Sequence, residues 1–213
     1  DKEVMAFGSY HNVDVTEIPG YTQIVEEYYA ACQDVGFLLM QALSVYFDNS
    51  GNETPYIQSL FFDEDGNKTD DSHMRHICYP GTAKRMACAH TDSNMITLLP
   101  AATGGGLELL NNQSEWMPVK TQDGDLVINA GDMLNFISGG KMKSTLHRVE
   151  NKFKDPNRKR YSMPFFFHPD HSKTLKILPS CAGHTKEDRM FPYKEVTGYA
   201  LLFELLNLYK VIP

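Results

Sequence analysis

The sequence predicts a mainly β domain, a sandwich or double-sheet jelly roll, with α-helices at its two ends. Three observations carry this. From Met74 to about Ile177, short apolar runs recur about every ten residues, separated by Gly, Pro, Asn and Asp. Ahead of them, Tyr21 to Phe47 repeats apolar residues at intervals of three and four after a Pro19-Gly20 start signal. Behind them, Tyr193 to Tyr209 places Val196, Tyr199, Leu202, Phe203, Leu206 and Tyr209 at the same helical spacing.

Taken in order, the first helix spans Tyr21-Phe47 and is followed by an acidic stretch, Asn49-Ser72, whose Asp63, Glu64, Asp65, Gly66 and Asn67 read as a solvated loop. It lacks the regular oxygen-ligand spacing of a calcium loop. Strands are expected at His76-Tyr79, Asn94-Leu99, Leu107-Leu110, Leu126-Asn129, Met133-Ile137, Thr145-Glu150, Tyr161-Phe167 and Leu175-Leu178. This divides the chain into residues 1–73, a helical region with the acidic loop, residues 74–180, the β core, and residues 181–213, a loop and closing helix, all within one domain. The chain opens on Asp1 rather than Met, which leaves room for residues ahead of it.

Composition narrows the function. The chain has 213 residues, 42% of them hydrophobic and 22% charged, enough to bury a core. No apolar run is read as approaching the roughly 18 residues of a membrane-spanning helix, so no membrane role is expected. With 20 Lys+Arg against 27 Asp+Glu and a formal charge of -7, a nucleic-acid-binding surface is not expected either. One local Arg can still receive a small anionic substrate. Cys32, Cys78, Cys88 and Cys181 form no CxxC pair and read as free thiols of a reducing, cytoplasmic compartment. The Asn-x-Ser/Thr triplets at Asn52, Asn67 and Asn112 read as chance matches, and the expected state is a monomer.

The chemistry centres on His90-Thr91-Asp92. On a strand, residues i and i+2 face the same side, so an imidazole and a carboxylate at this spacing can converge. The triplet alone is weak, since His168-Pro169-Asp170 repeats it. The first triplet has a distal partner, His147 in Ser144-Thr145-Leu146-His147-Arg148-Val149. Two imidazoles and one carboxylate can occupy one face of an octahedral metal, the arrangement of non-haem Fe(II) oxygenases. The second triplet has no such partner and contains a proline, which suits a strand end. Arg160-Tyr161-Ser162 opens the most apolar strand, so its guanidinium and hydroxyl point the same way and form a grip for a carboxylate. The competing reading is a surface arginine in the basic stretch that includes Arg158 and Lys159.

The ordered series His90-Thr91-Asp92, Gly106-Leu107-Glu108-Leu109-Leu110, Trp116-Met117-Pro118-Val119, Gly131-Asp132-Met133-Leu134, Lys143 to Val149 and Arg160 to Phe167 resembles the isopenicillin N synthase-like Fe(II)/2-oxoglutarate-dependent oxygenases. The resemblance covers about residues 74 to 180. It implies a double-stranded β-helix, or jelly roll, and a dioxygenase that oxidises a small organic molecule with Fe(II), O2 and 2-oxoglutarate, releasing succinate and CO2. It also implies that His90, Asp92 and His147 are the iron ligands and that Arg160 and Ser162 hold the distal carboxylate of 2-oxoglutarate. Tyr79, in Cys78-Tyr79-Pro80, matches the tyrosine that reaches the co-substrate, although Ile77 stands where the family often has Asn. The family has some dozens of residues before its first helix that this chain lacks. No catalytic side chain beyond the metal site is expected. Cys88, Tyr161 and His168 read as structural rather than as acid/base groups.

Phe166 shares the face of Arg160 and Ser162 by alternation and is the candidate substrate wall. By family analogy, Ser9-Tyr10-His11 and the closing helix are further candidates. Hydroxylation, desaturation and ring formation all occur on this scaffold, so neither substrate nor reaction subtype follows from fold. Two alternatives remain at this point: an oxidase of the same family that works without 2-oxoglutarate, and an inactive jelly-roll binding protein.

Overall fold

A computed structural model describes residues 2–8, 18–48, 51–182 and 194–208. Helix α1 (Tyr21–Phe47) has the expected bounds. Within the acidic stretch a short helix, α2 (Glu53–Ser59), replaces part of the expected loop. Its seven residues are too few for helical periodicity to stand out, and Pro55 reads as a break although it sits in the first turn, where proline is tolerated. The loop proper begins at Asp63, whose carboxylate accepts hydrogen bonds from the backbone of Asp65 and Asn67.

Twelve strands occur among the described residues. The large sheet has the order β1 (Glu3–Gly8), β2 (His73–Tyr79), β10 (Phe165–Phe167), β4 (Ile96–Pro100) and β7 (Leu126–Ala130), with β9 (Arg160–Ser162) also paired to β2. The small sheet has the order β3 (Arg85–His90), β8 (His147–Glu150), β5 (Leu107–Leu110) and β6 (Trp116–Pro118). A ribbon of β11 (Thr174–Lys176) and β12 (Glu195–Thr197) leads into α4 (Gly198–Leu208). All the strand pairs are antiparallel, as a jelly roll requires.

Several details differ from the sequence reading. Residues 3–8 form a strand of the large sheet, so this part of the N-terminal segment belongs to the β core. The expected strand Tyr161-Phe167 is two strands, β9 and β10, laid end to end along β2 and broken at Met163-Pro164. A proline cannot donate to the ladder, while its carbonyl still accepts from the Arg75 amide. The expected strand Met133-Ile137 is instead a short helix, α3 (Asp132–Ile137). Four of these five residues are almost fully enclosed, and a short apolar run buried on every side has no period that separates strand from helix. The closing helix begins at Gly198, after β12 has taken Glu195–Thr197.

Alternation along β10 divides its aromatic side chains. Phe165 and Phe167 point outward into the main core with Phe61, Met95, Leu98 and Leu134, while Phe166 faces the space between the sheets. Helix α1 covers this core with one side, burying Val25, Cys32, Met40 and Phe47. Gly36 lies at the closest approach, where a Cβ would press into the Phe167 ring. By length and composition α1 is apolar enough to cross a membrane, a property that a search for unbroken apolar runs passes over. Part of that apolar content is the buried stripe, while Ile24, Leu38, Val45 and Tyr46 are exposed.

Candidate active site

The two sheets enclose a cavity of about 310 Å³ lined by both. At one end of it β3 and β8 pair so that His90 stands directly opposite His147, with ring centroids 4.4 Å apart. Each imidazole is oriented from behind. Nδ1 of His90 lies 2.8 Å from the Cys88 carbonyl, and Nδ1 of His147 lies 3.0 Å from the Thr145 carbonyl. A carbonyl only accepts, so both Nδ1 atoms carry the proton and both Nε2 lone pairs are free to bind a metal. Burial, with His147 alongside, holds His90 below the usual imidazole range and keeps it neutral.

Asp92 completes the cluster from outside any strand. His90 ends β3, and Asp92 lies in the turn toward β4, so the i and i+2 strand argument reaches the correct pair through the wrong local geometry. The turn is held by backbone bonds: the amide of Asp132 donates to the Asp92 carbonyl at 2.7 Å, and that of Met133 to the Asn94 carbonyl at 3.1 Å. The α3 helix that sequence periodicity misreads is therefore the anchor of the carboxylate loop. Gly131 precedes it because a Cβ there would collide with the backbone and side-chain oxygens of Asn94.

Thr97 and Asn129, cross-strand neighbours on β4 and β7, both donate to Oδ2 of Asp92, at 2.7 and 2.9 Å. Asn94 in turn donates to Thr97 Oγ1 at 2.9 Å, which directs the threonine hydrogen toward the carboxylate. Oδ1 is left facing His90 Nε2 at 3.8 Å and His147 Nε2 at 3.7 Å. Three donor atoms thus lie within 4.8 Å of one another, two from the small sheet and one supported by the large sheet. Two imidazole nitrogens and a carboxylate oxygen suit Fe(II) and leave part of its coordination sphere open. Sequence reasoning misses Thr97, Asn94 and Asn129. Their one signal is polarity, at Thr97 and Asn129 within otherwise apolar strands and at Asn94 just before β4.

At the other end of the cavity, Arg160 pairs with Tyr79 and Ser162 with Ile77 across β9 and β2. Arg160 is 2% exposed, so the surface-arginine reading fails. Its Nε donates to the Gly104 carbonyl at 3.0 Å, and its Cζ lies 5.5 Å from the Tyr79 ring centroid. Its Nη1 is buried with no hydrogen-bond partner among the described residues. A buried guanidinium nitrogen left unpaired is costly and marks a place for an anion. Ser162, Tyr79 and Phe166 line the same cavity. Burial raises the Tyr79 phenol above its ordinary value, so it is neutral.

The other candidates fall elsewhere. Cys88 is exposed, Tyr161 is 51% exposed, and His168 is buried outside the cavity lining. His168 lies within hydrogen-bonding distance of His171 and stacks on His73, while Asp170 instead accepts from Ser172. Ser9-Tyr10-His11 lie outside the described residues.

Comparison with known proteins agrees with this geometry. Residues 70–169 match the model of the 2OG-Fe(II) oxygenase superfamily. A solved Caulobacter crescentus protein of the 2OG-Fe(II) oxygenase family superposes with a TM-score of 0.78 at 30% identity, covering 99% of this chain and 70% of that one. This chain belongs to the 2OG-Fe(II) oxygenase superfamily. The 2-oxoglutarate-Fe(II) type oxidoreductase hxnY of Emericella nidulans is 35% identical over 78% of this chain and 46% of its own length. A Neurospora crassa protein solved in complex with alpha-KG shares the fold at a TM-score of 0.77 and 23% identity, over 97% of this chain and 66% of that one. The chain spans about half the length of the curated relative. Members of this superfamily use Fe(II), 2-oxoglutarate and O2, and the His90, Asp92 and His147 donor set and the free Nη1 of Arg160 fit the metal and the co-substrate respectively.

Proposed function

We propose that this chain is the catalytic core of a dioxygenase that oxidises a small organic molecule at a C–H bond, with 2-oxoglutarate converted to succinate and CO2. The observation that carries this reading is the buried, partnerless Nη1 of Arg160 in the same cavity as three converging metal donors. Fe(II) bound with 2-oxoglutarate and O2 supplies the oxidising chemistry.

The residues divide the remaining work. His90 and His147 offer Nε2, and Asp92 offers Oδ1, as metal ligands held by hydrogen bonds behind them. Arg160 and Ser162 receive the distal carboxylate of 2-oxoglutarate, and the Tyr79 ring keeps the guanidinium in place. Leu99, Leu107, Val119 and Val127 line the cavity with apolar surface that excludes water from the reacting centre. Phe166 forms part of the substrate wall.

The test is an anaerobic titration of metal-free protein with Fe(II) and then 2-oxoglutarate, following the visible charge-transfer band of a 2-oxo acid chelated to iron. Saturation near one equivalent is expected. Iron binding without the band overturns the 2-oxoglutarate assignment, and unchanged iron stoichiometry in Asp92→Ala overturns the ligand assignment.

A further inference from the structure

Arg75 is a second arginine lining the cavity, separate from the iron ligands and from Arg160. Along β2 the side chains of Arg75, Ile77 and Tyr79 alternate onto one face, and all three line the cavity. Tyr79 stands beside Arg160, while Arg75 lies four residues up the strand, about 13 Å away at the backbone. Its guanidinium carbon sits 5.3 Å over the ring of Phe166. Its charge is felt inside: after burial it is the next cause that lowers the His73 imidazole, and it partly offsets the rise that burial gives the Tyr79 phenol. Arg75 is exposed to the cavity mouth, and among the described residues no carboxylate, carbonyl or hydroxyl hydrogen-bonds its guanidinium.

The charge balance of the filled site gives this cation a purpose. Among the described residues Asp92 is the one carboxylate in the lining, against Arg160, Arg75 and Lys2. The two positive charges of Fe(II) and one of Arg160 are cancelled by Asp92 and the two carboxylates of 2-oxoglutarate. Arg75 is left over, with Lys2 adding to the excess at the same cavity. A chain whose overall charge is -7 thus keeps, among the described residues, an uncompensated positive charge at this cavity. Beside that charge the walls are apolar: Phe166, Leu99, Val119 and Val127.

We propose that the substrate is a small carboxylic acid with an apolar or aromatic body, its carboxylate received by Arg75 and its body laid along Phe166. The proposal rests on the 2-oxoglutarate reading above and names the substrate class of the same site. Arg75 sets orientation, because a carboxylate fixed at the cavity mouth directs the opposite end of the molecule toward His90, Asp92 and His147.

The experiment uses the full chain loaded anaerobically with Fe(II) and saturating 2-oxoglutarate. It is titrated with 3-phenylpropionate or hexanoate and, in parallel, with 3-phenylpropionamide or hexanamide, reading the perturbation of the charge-transfer band and the heat of binding. The acids are expected to bind roughly tenfold to a hundredfold more tightly than their amides, the range of a charge-assisted hydrogen bond. Arg75→Gln is expected to erase that preference while the 2-oxoglutarate band still forms, and Arg75→Lys to retain part of it. Equal binding of acid and amide, binding of neither, or a preference that survives in Arg75→Gln overturns the proposal. Displacement of 2-oxoglutarate by the acids also overturns it, since the anion site would then be Arg160. Failure of the band to form at all refutes the co-substrate reading itself, and the substrate class falls with it.

Discussion

The hydroxyl of Thr97 donates a 2.7 Å hydrogen bond to Oδ2 of Asp92, and its own lone pair is taken by Asn94. This relay turns Oδ1 toward the two imidazoles and restrains the carboxylate as a single-oxygen ligand. Thr97→Val keeps the shape and removes the donor. By the usual effect of such supporting partners, Fe(II) affinity should fall roughly tenfold to a hundredfold. Calorimetric titration with Fe(II) or Co(II) measures it, and an unchanged Kd would show that Asn129 alone is sufficient.

Arg160→Lys should be nearly as damaging as Arg160→Gln. An ammonium cannot donate to the Gly104 carbonyl, lie against Tyr79 and meet a carboxylate at once. The expected loss of 2-oxoglutarate affinity is roughly tenfold or more. Iron affinity should stay at the parent value, because neither substitution touches His90, Asp92 or His147. Equal loss of iron in both variants would point to collapse of the cavity.

Gly131→Ala should weaken fold and metal site together. The added methyl meets the Asn94 oxygens, so either the Asp92 turn or the start of α3 must move. Overpacking of this kind costs about 1–3 kcal/mol. Urea unfolding reads the stability loss and Fe(II) titration the loosened site. A stable variant with parent iron affinity would reject the anchoring role of α3.

Acid should destabilise the protein through its buried histidines. His73 is pushed down to about 4, chiefly by burial and then by Arg75, and burial also holds His168 and His171 low. In the unfolded chain these groups titrate near 6.5, so between about pH 6.5 and 4 the unfolded state binds more protons than the folded one. Stability is therefore complete above about pH 6.5 and is lost as the pH falls toward 4, by on the order of 3 kcal/mol at most for His73. Thermal unfolding across that window should show the decline, and His73→Phe should flatten it. A slope unaltered in His73→Phe would assign the decline to other groups.

Much of the site can be read from the sequence because its chemistry is local in residue type. An imidazole, a carboxylate, a second imidazole and a guanidinium occur in order, within motifs whose register is visible without any coordinates. The supporting groups are harder. Thr97 and Asn129 are 32 positions apart, and they meet Asp92 only because β4 and β7 pair in one particular register. The same holds for α3, whose apolar residues carry no usable period but whose backbone amides close the Asp92 turn.

The sequence by itself determined which ligand atoms are present, that α1 is amphipathic and that the β core alternates. It also determined that Phe166 shares a face with Arg160, since parity along the chain survives even the break at Pro164. Only the tertiary structure decided that Arg160 is buried with its Nη1 unpaired among the described residues, that Asp92 lies in a turn rather than a strand, and that Arg75 lines the same cavity over the ring of Phe166. The physical reason is that ligand identity and alternation are properties of neighbouring residues, whereas desolvation, charge balance and hydrogen-bond satisfaction depend on which distant strands enclose a group.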